Sequence, residues 1–208
     1  MQESRYRVPM SNTIGLILAG GRSSRMQGED KAFITLAGKS LLVRAIQRLA
    51  PQVHGLAISS NRSPESYSAT GLPVIPDRLT GFQGPLAGIH AGLCAYPQDY
   101  LISIAVDLPF LPKDLVARLH AGMQNFPCAY AICGTQHALA LLWAPGTAQN
   151  LEKFMQQGER SLRAWLVGNA GAVFFQPNND SDILLNINTP EDLREAQQRL
   201  TLAACQIK

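Results

Sequence analysis

Short apolar runs alternate with stretches of helical periodicity along the first half of this chain. Two of the runs, at 14–17 and 101–106, are apolar almost without a break. A strand with apolar residues on both faces is typical of a parallel sheet that helices cover on both sides. The pattern therefore predicts an α/β fold with three layers, α/β/α, that is Rossmann-like and has a mostly parallel central sheet.

The same pattern predicts the individual elements. Strands are expected where short apolar runs lie between turn residues, and helices where apolar residues recur at helical spacing. The predicted strands cover 13–19, 53–59, 74–76, 101–106, 129–133, 138–143, 172–175 and 184–187. The predicted helices cover 41–49, 85–95, 147–157 and 161–167, and a last helix opens at Thr189-Pro190 with Thr189 as its cap.

Length and composition favour one domain. The chain has 208 residues, of which 46% are hydrophobic, and this suffices to bury a substantial core. Residues 1–12 are polar and irregular. We therefore expect a loose N-terminal tail at 1–12 and a single domain at 13–208.

Charge and cysteine usage exclude several classes of function. The net charge is +3 and the basic residues are scattered, unlike those of a nucleic-acid-binding arm. The four cysteines lack C-x-x-C pairing and zinc-ligand spacing, so we expect reduced, mostly buried thiols. No apolar run reaches the ~20 residues of a membrane helix, and the N-terminus does not read as a secretion signal. These features favour a cytoplasmic protein that binds neither nucleic acid nor membrane.

The most informative segment follows the first predicted strand. It reads LAGGRSSRM at 18–26 and is closed by Asp30-Lys31. Glycines let several backbone N–H groups approach one anion, and Arg25 and Lys31 add positive charge where polyphosphate oxygens would lie. The segment matches neither the dinucleotide fingerprint nor the P-loop. It predicts a nucleoside triphosphate site, and the alternative is an ordinary surface turn whose basic side chains are solvated.

Other candidate residues stand at the ends of other predicted strands. Asp107 follows a buried strand and suits Mg2+, which takes few carboxylates, or else it caps the next turn. Asp77 would contact the nucleotide or pair with Arg78. The glycine-rich segment 84–88 suits close approach of a flat base or a pterin ring, or is only a tight helix start. Because ligands of such sheets bind beyond the carboxyl ends of the strands, we expect Gly20, Asp77 and Asp107 to line one site.

The chain shows no sign of covalent catalysis. None of its serines lies in a G-x-S-x-G elbow, and its histidines are isolated. A triphosphate site with one metal and two cations instead favours group transfer by positioning and charge neutralisation.

Five motifs occur in the order found in a known family: LAGG-x-S-x-R-M, Asp30-Lys31, GPLAG at 84–88, DLPFLP at 107–112 and NINTPED at 186–192. In these motifs, and nearly throughout from residue 13, the chain resembles the molybdenum cofactor guanylyltransferases (molybdopterin-guanine dinucleotide synthases). The resemblance implies a nucleotidyltransferase fold in which the terminal phosphate of molybdenum-bound molybdopterin attacks the α-phosphorus of GTP and releases pyrophosphate. It also implies Mg2+ as the cofactor, with Mn2+ as the alternative ion.

The resemblance further implies the residues of the site. Arg25, Lys31 and Asp107 are the expected catalytic residues, and Asp107 is the metal ligand. The expected GTP contacts are Leu18, Ala19, Gly20, Lys31, Ser59, Asp77 and Asp107. The second substrate is expected at Pro85, Leu86, Asn186 and Asn188, with the two asparagines on one side of a strand.

Three positions depart from the pattern of the family. Ser59 stands where asparagine is common, and Asn61, on the same strand face, is the expected substitute. Gln27 and Ala138 stand where glycine and proline are common. The match to the pattern of the family is thus closer on the GTP side of the site than on the pterin side.

Two other classes of function fit the same residues. One is transfer of a cytidylyl group to molybdopterin, or of a nucleotide to a sugar phosphate. The other is a noncatalytic nucleotide-binding regulatory protein, against which the presence of Arg25, Lys31 and Asp107 counts. Besides GTP and molybdenum-molybdopterin, the implied partners are proteins that deliver molybdopterin and molybdoenzymes that receive the product.

Overall fold

The computed structural model describes residues 12–20, 30–62, 64–79, 84–133, 136–176 and 185–205. Nearly all of the expected N-terminal tail lies outside these residues, as do Arg25 and Gln27. The side chain of Ala138 lies outside them too. What the sequence predicts for these positions stays a prediction.

A mixed sheet of seven strands forms the centre of the described structure, and two further short strands pair with each other. The strands are β1 (Thr13–Leu18), β2 (Thr35–Leu36), β3 (Lys39–Ser40), β4 (Gly55–Ser59), β5 (Val74–Ile75), β6 (Tyr100–Ala105), β7 (Cys128–Cys133), β8 (Gln136–Trp143) and β9 (Ala170–Phe174). The order in the sheet is β5-β4-β1-β6-β8-β7-β9. Only β8 runs antiparallel to its neighbours in this sheet. The predicted mostly parallel sheet is confirmed.

Six α-helices connect or flank these strands in the part of the chain that the structure describes. They are α1 (Leu41–Leu49), α2 (Pro85–Ala95), α3 (Leu115–Met123), α4 (Ala148–Gln156), α5 (Leu162–Asn169) and α6 (Pro190–Cys205). Shorter 3-10 helices cover Lys31–Phe33, Ala50–Gln52 and Pro64–Thr70. The helices predicted at 41–49 and 85–95 are therefore confirmed.

Apolar side chains cover both faces of the sheet, and every residue of β1 is buried. On one face, Ile17 shares a core with Leu41 of α1 and Leu119 of α3. On the other face, Leu16 shares a second core with Ile89 of α2 and with residues of α4 and α5. Each fully buried side chain of this size contributes roughly 2 kcal/mol of hydrophobic stabilisation. The three predicted layers are thus present, and the central strands are held from both sides.

The register of the central strands brings three carboxyl ends to the same level. Leu18 of β1 is paired with Ser59 of β4 on one side and with Ala105 of β6 on the other. The amide of Val106 still donates to the carbonyl of Leu18, at 3.2 Å, so β6 follows β1 beyond its last paired residue. Residues that follow these strands therefore open onto one edge of the sheet.

The strand predicted at 184–187 is wrong in its described part, because residues 185–188 run without strand pairing. β6 is already paired on both sides, by β1 and β8, so a segment that lies at its end has no free edge of β6 to join. The segment makes one backbone contact there: the amide of Ile187 donates to the carbonyl of Asp107, at 3.0 Å. Ile187 is buried, and Asn186 and Asn188 on either side of it are half-buried.

Two further differences concern elements near the site. Asn61 lies beyond the end of β4, not on the strand as expected. Helix α3 is absent from the predicted elements, although its buried residues Leu115, Leu119 and Met123 recur with helical spacing.

Cys94, Cys128 and Cys133 are free thiols, two of them buried, as expected. Within the described residues, no helix is both long enough and apolar enough to cross a membrane.

Candidate active site

A cavity of about 700 Å³ lies at the carboxyl ends of β1, β4 and β6. It is lined by strand-end residues, by the start of α2 and by the 3-10 helix that begins at Lys31. The lining residues are Leu18, Ala19, Gly20, Lys31, Ser59, Ser60, Asn61, Arg62, Asp77, Gly84, Pro85, Gly88, Ala105, Val106, Asp107 and Leu139. The structure therefore brings together all seven expected GTP contacts.

An ion pair between Lys31 and Asp107 lies in the wall of this cavity. The ammonium nitrogen of Lys31 is 3.0 Å from Asp107 Oδ2, and the two side chains are 21% and 15% exposed. The same ammonium also donates to Asn188 Oδ1. Because a lysine ammonium carries three protons, these two acceptors leave one proton for a ligand.

The segment that carries Asn188 is fixed by the cap of helix α6. Oδ2 of Asp192 accepts hydrogen bonds from the amides of Asn188 and Thr189, both at 2.8 Å. In return, the hydroxyl of Thr189 accepts from the amide of Asp192 at 3.1 Å. This reciprocal arrangement is a capping box, and it confirms the expected capping role of Thr189.

Two buried side-chain oxygens, one in this ion pair and one two residues before Asn188, make no hydrogen bond within the described residues. They are Oδ1 of Asp107 and Oδ1 of Asn186. An orphaned buried oxygen of this kind needs an external partner, since leaving it unsatisfied costs about 1–3 kcal/mol. The free carboxylate oxygen of Asp107 fits a divalent cation, and Asn186 fits either a cation or a substrate donor.

Within the described residues, no three side chains of the histidine, cysteine, aspartate and glutamate types stand together as a ready metal cage. A metal on Asp107 would thus complete its shell with oxygens of the ligand and of water. Mg2+ is the ion that is commonly bound in this way.

Some backbone groups at the end of β1 already make hydrogen bonds within the protein. The amides of Ala19 and Gly20 both donate to the carbonyl of Ser59, at 3.0 and 3.2 Å. At these two residues a nucleotide would therefore meet carbonyl oxygens and van der Waals surface, not free N–H groups. The rest of the segment that was expected to offer N–H groups, residues 21–26, lies outside the described part.

Asp77 and Asn61 form a double contact on the opposite wall. The amide group of Asn61 donates to Asp77 Oδ2 at 2.8 Å, and Asn61 Oδ1 accepts from the amide of Asp77 at 2.8 Å. The side-chain partner of Asp77 is thus Asn61 and not Arg78, which was one of the two alternatives. The contact leaves Oδ1 of Asp77 as the acceptor available to a ligand.

The N-terminus of α2 approaches β4 very closely. A Cβ atom on Gly88 would lie 2.3 Å from Ser59 Oγ, so only glycine fits there without a shift. Gly84, at φ 124°, precedes Pro85 in the first turn, and both line the cavity. Leu86 is 2% exposed and belongs to the core instead of the cavity wall.

Arg62 and Ser60 also line the cavity, and neither is among the residues expected from the sequence. Arg62 is 44% exposed, and its Nε lies 3.2 Å from Asp30 Oδ2. No motif marks this arginine, because its place depends on how the loop after β4 folds back toward Asp30.

A family model and individual relatives of known description agree on one family. The sequence model described as the MobA-like NTP transferase domain matches residues 15–172. A molybdenum cofactor guanylyltransferase of Yersinia pestis is 42% identical over 183 residues, which cover 87% of this chain and 93% of that protein. A protein with the same description from Yersinia pseudotuberculosis matches to the same extent.

Solved structures share the fold at lower identity. Molybdopterin-guanine dinucleotide biosynthesis protein A of Archaeoglobus fulgidus has a TM-score of 0.71 at 23% identity, covering 90% of this chain and 98% of its own. CMP:2-keto-3-deoxy-manno-octonic acid synthetase, solved with CTP, has a TM-score of 0.71 at 15% identity, covering 93% and 100%. At these identities the likeness shows a nucleotidyltransferase-like fold and no more.

The cap at Asp192 predicts a pH-dependent part of the stability. Burial alone would raise the pKa of Asp192, but the amides of Asn188 and Thr189, the Thr189 hydroxyl and the charge of Lys31 together lower it below its ordinary 3.8. Because the pKa of Asp192 is lower in the folded protein than in the unfolded protein, its carboxylate stabilises the fold at pH values above the unfolded-state pKa. This stabilisation is lost as the pH falls through the folded-state pKa. Asp192→Asn should thus lower the free energy of unfolding by about 1 kcal/mol at pH 7 and by less at pH 3, measured by urea unfolding.

Glu191→Gln is the matched control, because Glu191 is 68% exposed and pairs only with Arg194 in the described structure. An equal loss for Asp192→Asn at both pH values would contradict the role given to the ionised carboxylate.

Proposed function

The chain belongs to the MobA-like NTP transferase family, and we propose that it transfers GMP from GTP to molybdenum-bound molybdopterin, forming the guanine dinucleotide cofactor and pyrophosphate. The relatives described as molybdenum cofactor guanylyltransferases support this proposal over most of the chain. The observation that supports it most directly is the Lys31–Asp107 ion pair in a cavity at the strand ends.

The polar groups of the cavity suggest how GTP lies in it. Asp77 offers a carboxylate oxygen on one wall, and a carboxylate accepts hydrogen bonds without donating any. Guanine carries a 2-amino donor that the other common bases lack at this position. We place the base near Asp77 and Ser59, and the triphosphate toward Lys31 and Asp107.

The nucleophile requires no protein base. The second pKa of a phosphate monoester is about 6, so the terminal phosphate of molybdopterin is largely ionised near neutral pH. The obstacle is repulsion between two anions. The remaining proton of the Lys31 ammonium meets charge that develops on the leaving pyrophosphate, and Arg25 is proposed as the second cation.

Asp107 is proposed to hold Mg2+, or Mn2+ as the alternative, because its Oδ1 is buried without a partner among the described residues. Such an ion would supply positive charge that polarises phosphate oxygens. Asp107 would hold the ion, while Lys31 keeps the carboxylate in place through Oδ2.

The second substrate is proposed to bind beside Pro85, which lines the cavity, and toward Asn186 and Asn188, which are not among the residues that line the cavity in the described structure. Asn188 accepts a hydrogen bond from the ammonium of Lys31, so it lies next to a proposed catalytic group. Asn186, two residues before it, has a buried oxygen without a partner among the described residues, and this oxygen is proposed to accept from the second substrate. Leu86 is buried in the core, so it would support Pro85 by packing and would not contact the second substrate itself. The same proposal includes two kinds of protein partner, one that delivers molybdopterin and molybdoenzymes that receive the product. It also includes a cytoplasmic location and a single domain over 13–208.

Nucleotide selection tests the reaction. Purified protein incubated with Mg2+, molybdenum-loaded molybdopterin and an equimolar mixture of GTP, CTP, ATP and UTP should yield the guanine dinucleotide in about 100-fold excess or more, since the acceptors of the site would be left unpaired by the wrong base. Chromatography of the released cofactor measures the ratio.

A cytidine product in equal or larger amount would favour the cytidylyltransferase alternative. Transfer to a sugar phosphate with none to molybdopterin would favour a sugar nucleotidyltransferase. Tight GTP binding without any transfer would favour the regulatory protein.

Asp107→Ala should abolish Mg2+-dependent transfer while the protein stays folded by circular dichroism. The carboxylate is the proposed metal ligand, and its loss also leaves the Lys31 ammonium with Asn188 as its acceptor. Asp114→Ala is the matched control, because Asp114 is 64% exposed and lies 4.0 Å from Arg118 on α3. A folded Asp107→Ala variant with native turnover would remove Asp107 from the reaction.

A further inference from the structure

We propose that Tyr67, which the reaction scheme above does not use, is a positioning residue for the transfer reaction: it fixes the turn that carries Lys31. The inference rests on the proposed function, in which Lys31 meets the charge of the leaving pyrophosphate. Tyr67 is 1% exposed and lies in the 3-10 helix Pro64–Thr70. It does not line the cavity, so it acts through another residue.

Tyr67 holds both ends of the turn Lys31–Phe33. Its hydroxyl donates to Oδ2 of Asp30, the residue that precedes the turn, at 2.9 Å. Its ring stacks on Phe33, the last residue of the turn, with centroids 5.5 Å apart and planes at 30°. One buried side chain thus contacts the residues on either side of Lys31 and Ala32.

Asp30 transmits this contact to the backbone of the turn. It is the N-cap residue, and its Oδ1 accepts from the amide of Ala32 at 3.0 Å. Its Oδ2 accepts from Tyr67 and lies 3.2 Å from Nε of Arg62, and the side chain is only 7% exposed. The carboxylate therefore has fixed partners on both oxygens, and the direction in which Lys31 leaves the backbone is set.

Tyr67 is in turn anchored to the central sheet. The hydroxyl of Ser60 is 3.1 Å from the Tyr67 oxygen, and Ser60 is 2% exposed directly after β4. Since Tyr67 gives its one proton to Asp30, Ser60 must donate to Tyr67. The amide of Arg62 donates to Ser60 Oγ at 3.1 Å, and the amide of Ser60 donates to Ile75 O of β5 at 3.1 Å. The resulting chain of contacts runs from β4 through Ser60, Tyr67 and Asp30 to the lysine.

The hydroxyl of Tyr67 keeps its proton over the working pH range. Burial raises its pKa, the hydrogen bond from Ser60 opposes that shift, and the neighbouring Asp30 carboxylate raises it again. Tyr67 is accordingly a permanent donor to Asp30.

Position matters here because Lys31 bears its charge at the end of a flexible stem. A lysine ammonium is a compact charge with four carbons between it and the backbone. A displacement of about 1 Å at a reacting centre can cost about 100-fold in rate. Fixing the turn at Asp30 and at Phe33 reduces the range that the ammonium can sample.

The test is a double-mutant cycle with Tyr67→Phe and Lys31→Ala. Tyr67→Phe keeps the ring stacked on Phe33 and removes only the hydroxyl. We expect it to lower kcat about tenfold with KM for GTP changed by less than about twofold. Lys31→Ala alone should lower kcat by about 100-fold or more. In the Lys31→Ala background, Tyr67→Phe should cause no further loss, because the charge that it positions is gone.

A merely structural role gives a different result: the same tenfold loss with and without Lys31, and this would overturn the inference. Tyr67→Phe with native kcat would overturn it too. Tyr96→Phe is the matched control, since Tyr96 is a half-buried tyrosine after α2, outside the cavity lining, and should leave kcat unchanged. Thermal melting of each variant monitors folding.

If Tyr67→Phe does not fold, Ser60→Ala takes its place in the cycle, because it removes the contact between Tyr67 and the sheet.

If the native protein makes no guanine dinucleotide, the proposed function fails. The cycle is then measured with inorganic pyrophosphate, as its dissociation constant for each variant. Weakening by Tyr67→Phe only in the presence of Lys31 would support the positioning role, and equal or no weakening in both backgrounds would overturn it.

Discussion

The ammonium of Lys31 joins three distant parts of the chain at one point. Asp107 lies 76 residues away in sequence and Asn188 lies 157 residues away, and both accept from this one group. Both charges of the pair are largely shielded from water, so removal of either one would leave its partner poorly compensated. The turn that begins at Lys31, the end of β6 and the segment before α6 thus meet at this contact.

The sheet explains why these segments can meet. Three strands end at the same level, and the residues beyond them have no further ladder to join, so their polar groups turn toward one another and toward a ligand. The fold alone does not determine which nucleotide is bound, because a synthetase solved with CTP shares it. In the proposed function, selection of the base falls to side chains at the rim of the cavity, above all Asp77 with its partner Asn61.

Much of this arrangement was predictable from the sequence, for a physical reason. β1 and β6 are buried on both faces, so their apolar runs identify a covered parallel sheet, and residues that follow such strands necessarily share an edge. Lys31, Asp77 and Asp107 were found in this way or by resemblance. Tyr67 and Arg62 were not, because their contacts with Asp30 depend on the path of a loop, which no periodicity encodes. The segment before α6 was predicted as a strand because its polar and apolar residues alternate. That alternation does not show that β6 is already paired on both sides.

A crystal structure of the protein with GTP and Mg2+ tests the central claim most directly. The account predicts that the triphosphate lies between the end of β1 and the Lys31–Asp107 pair, with the ammonium of Lys31 on a phosphate oxygen and the base toward Asp77. A triphosphate bound away from Lys31 and Asp107, with the base at the end of β1 or outside the cavity, would contradict it.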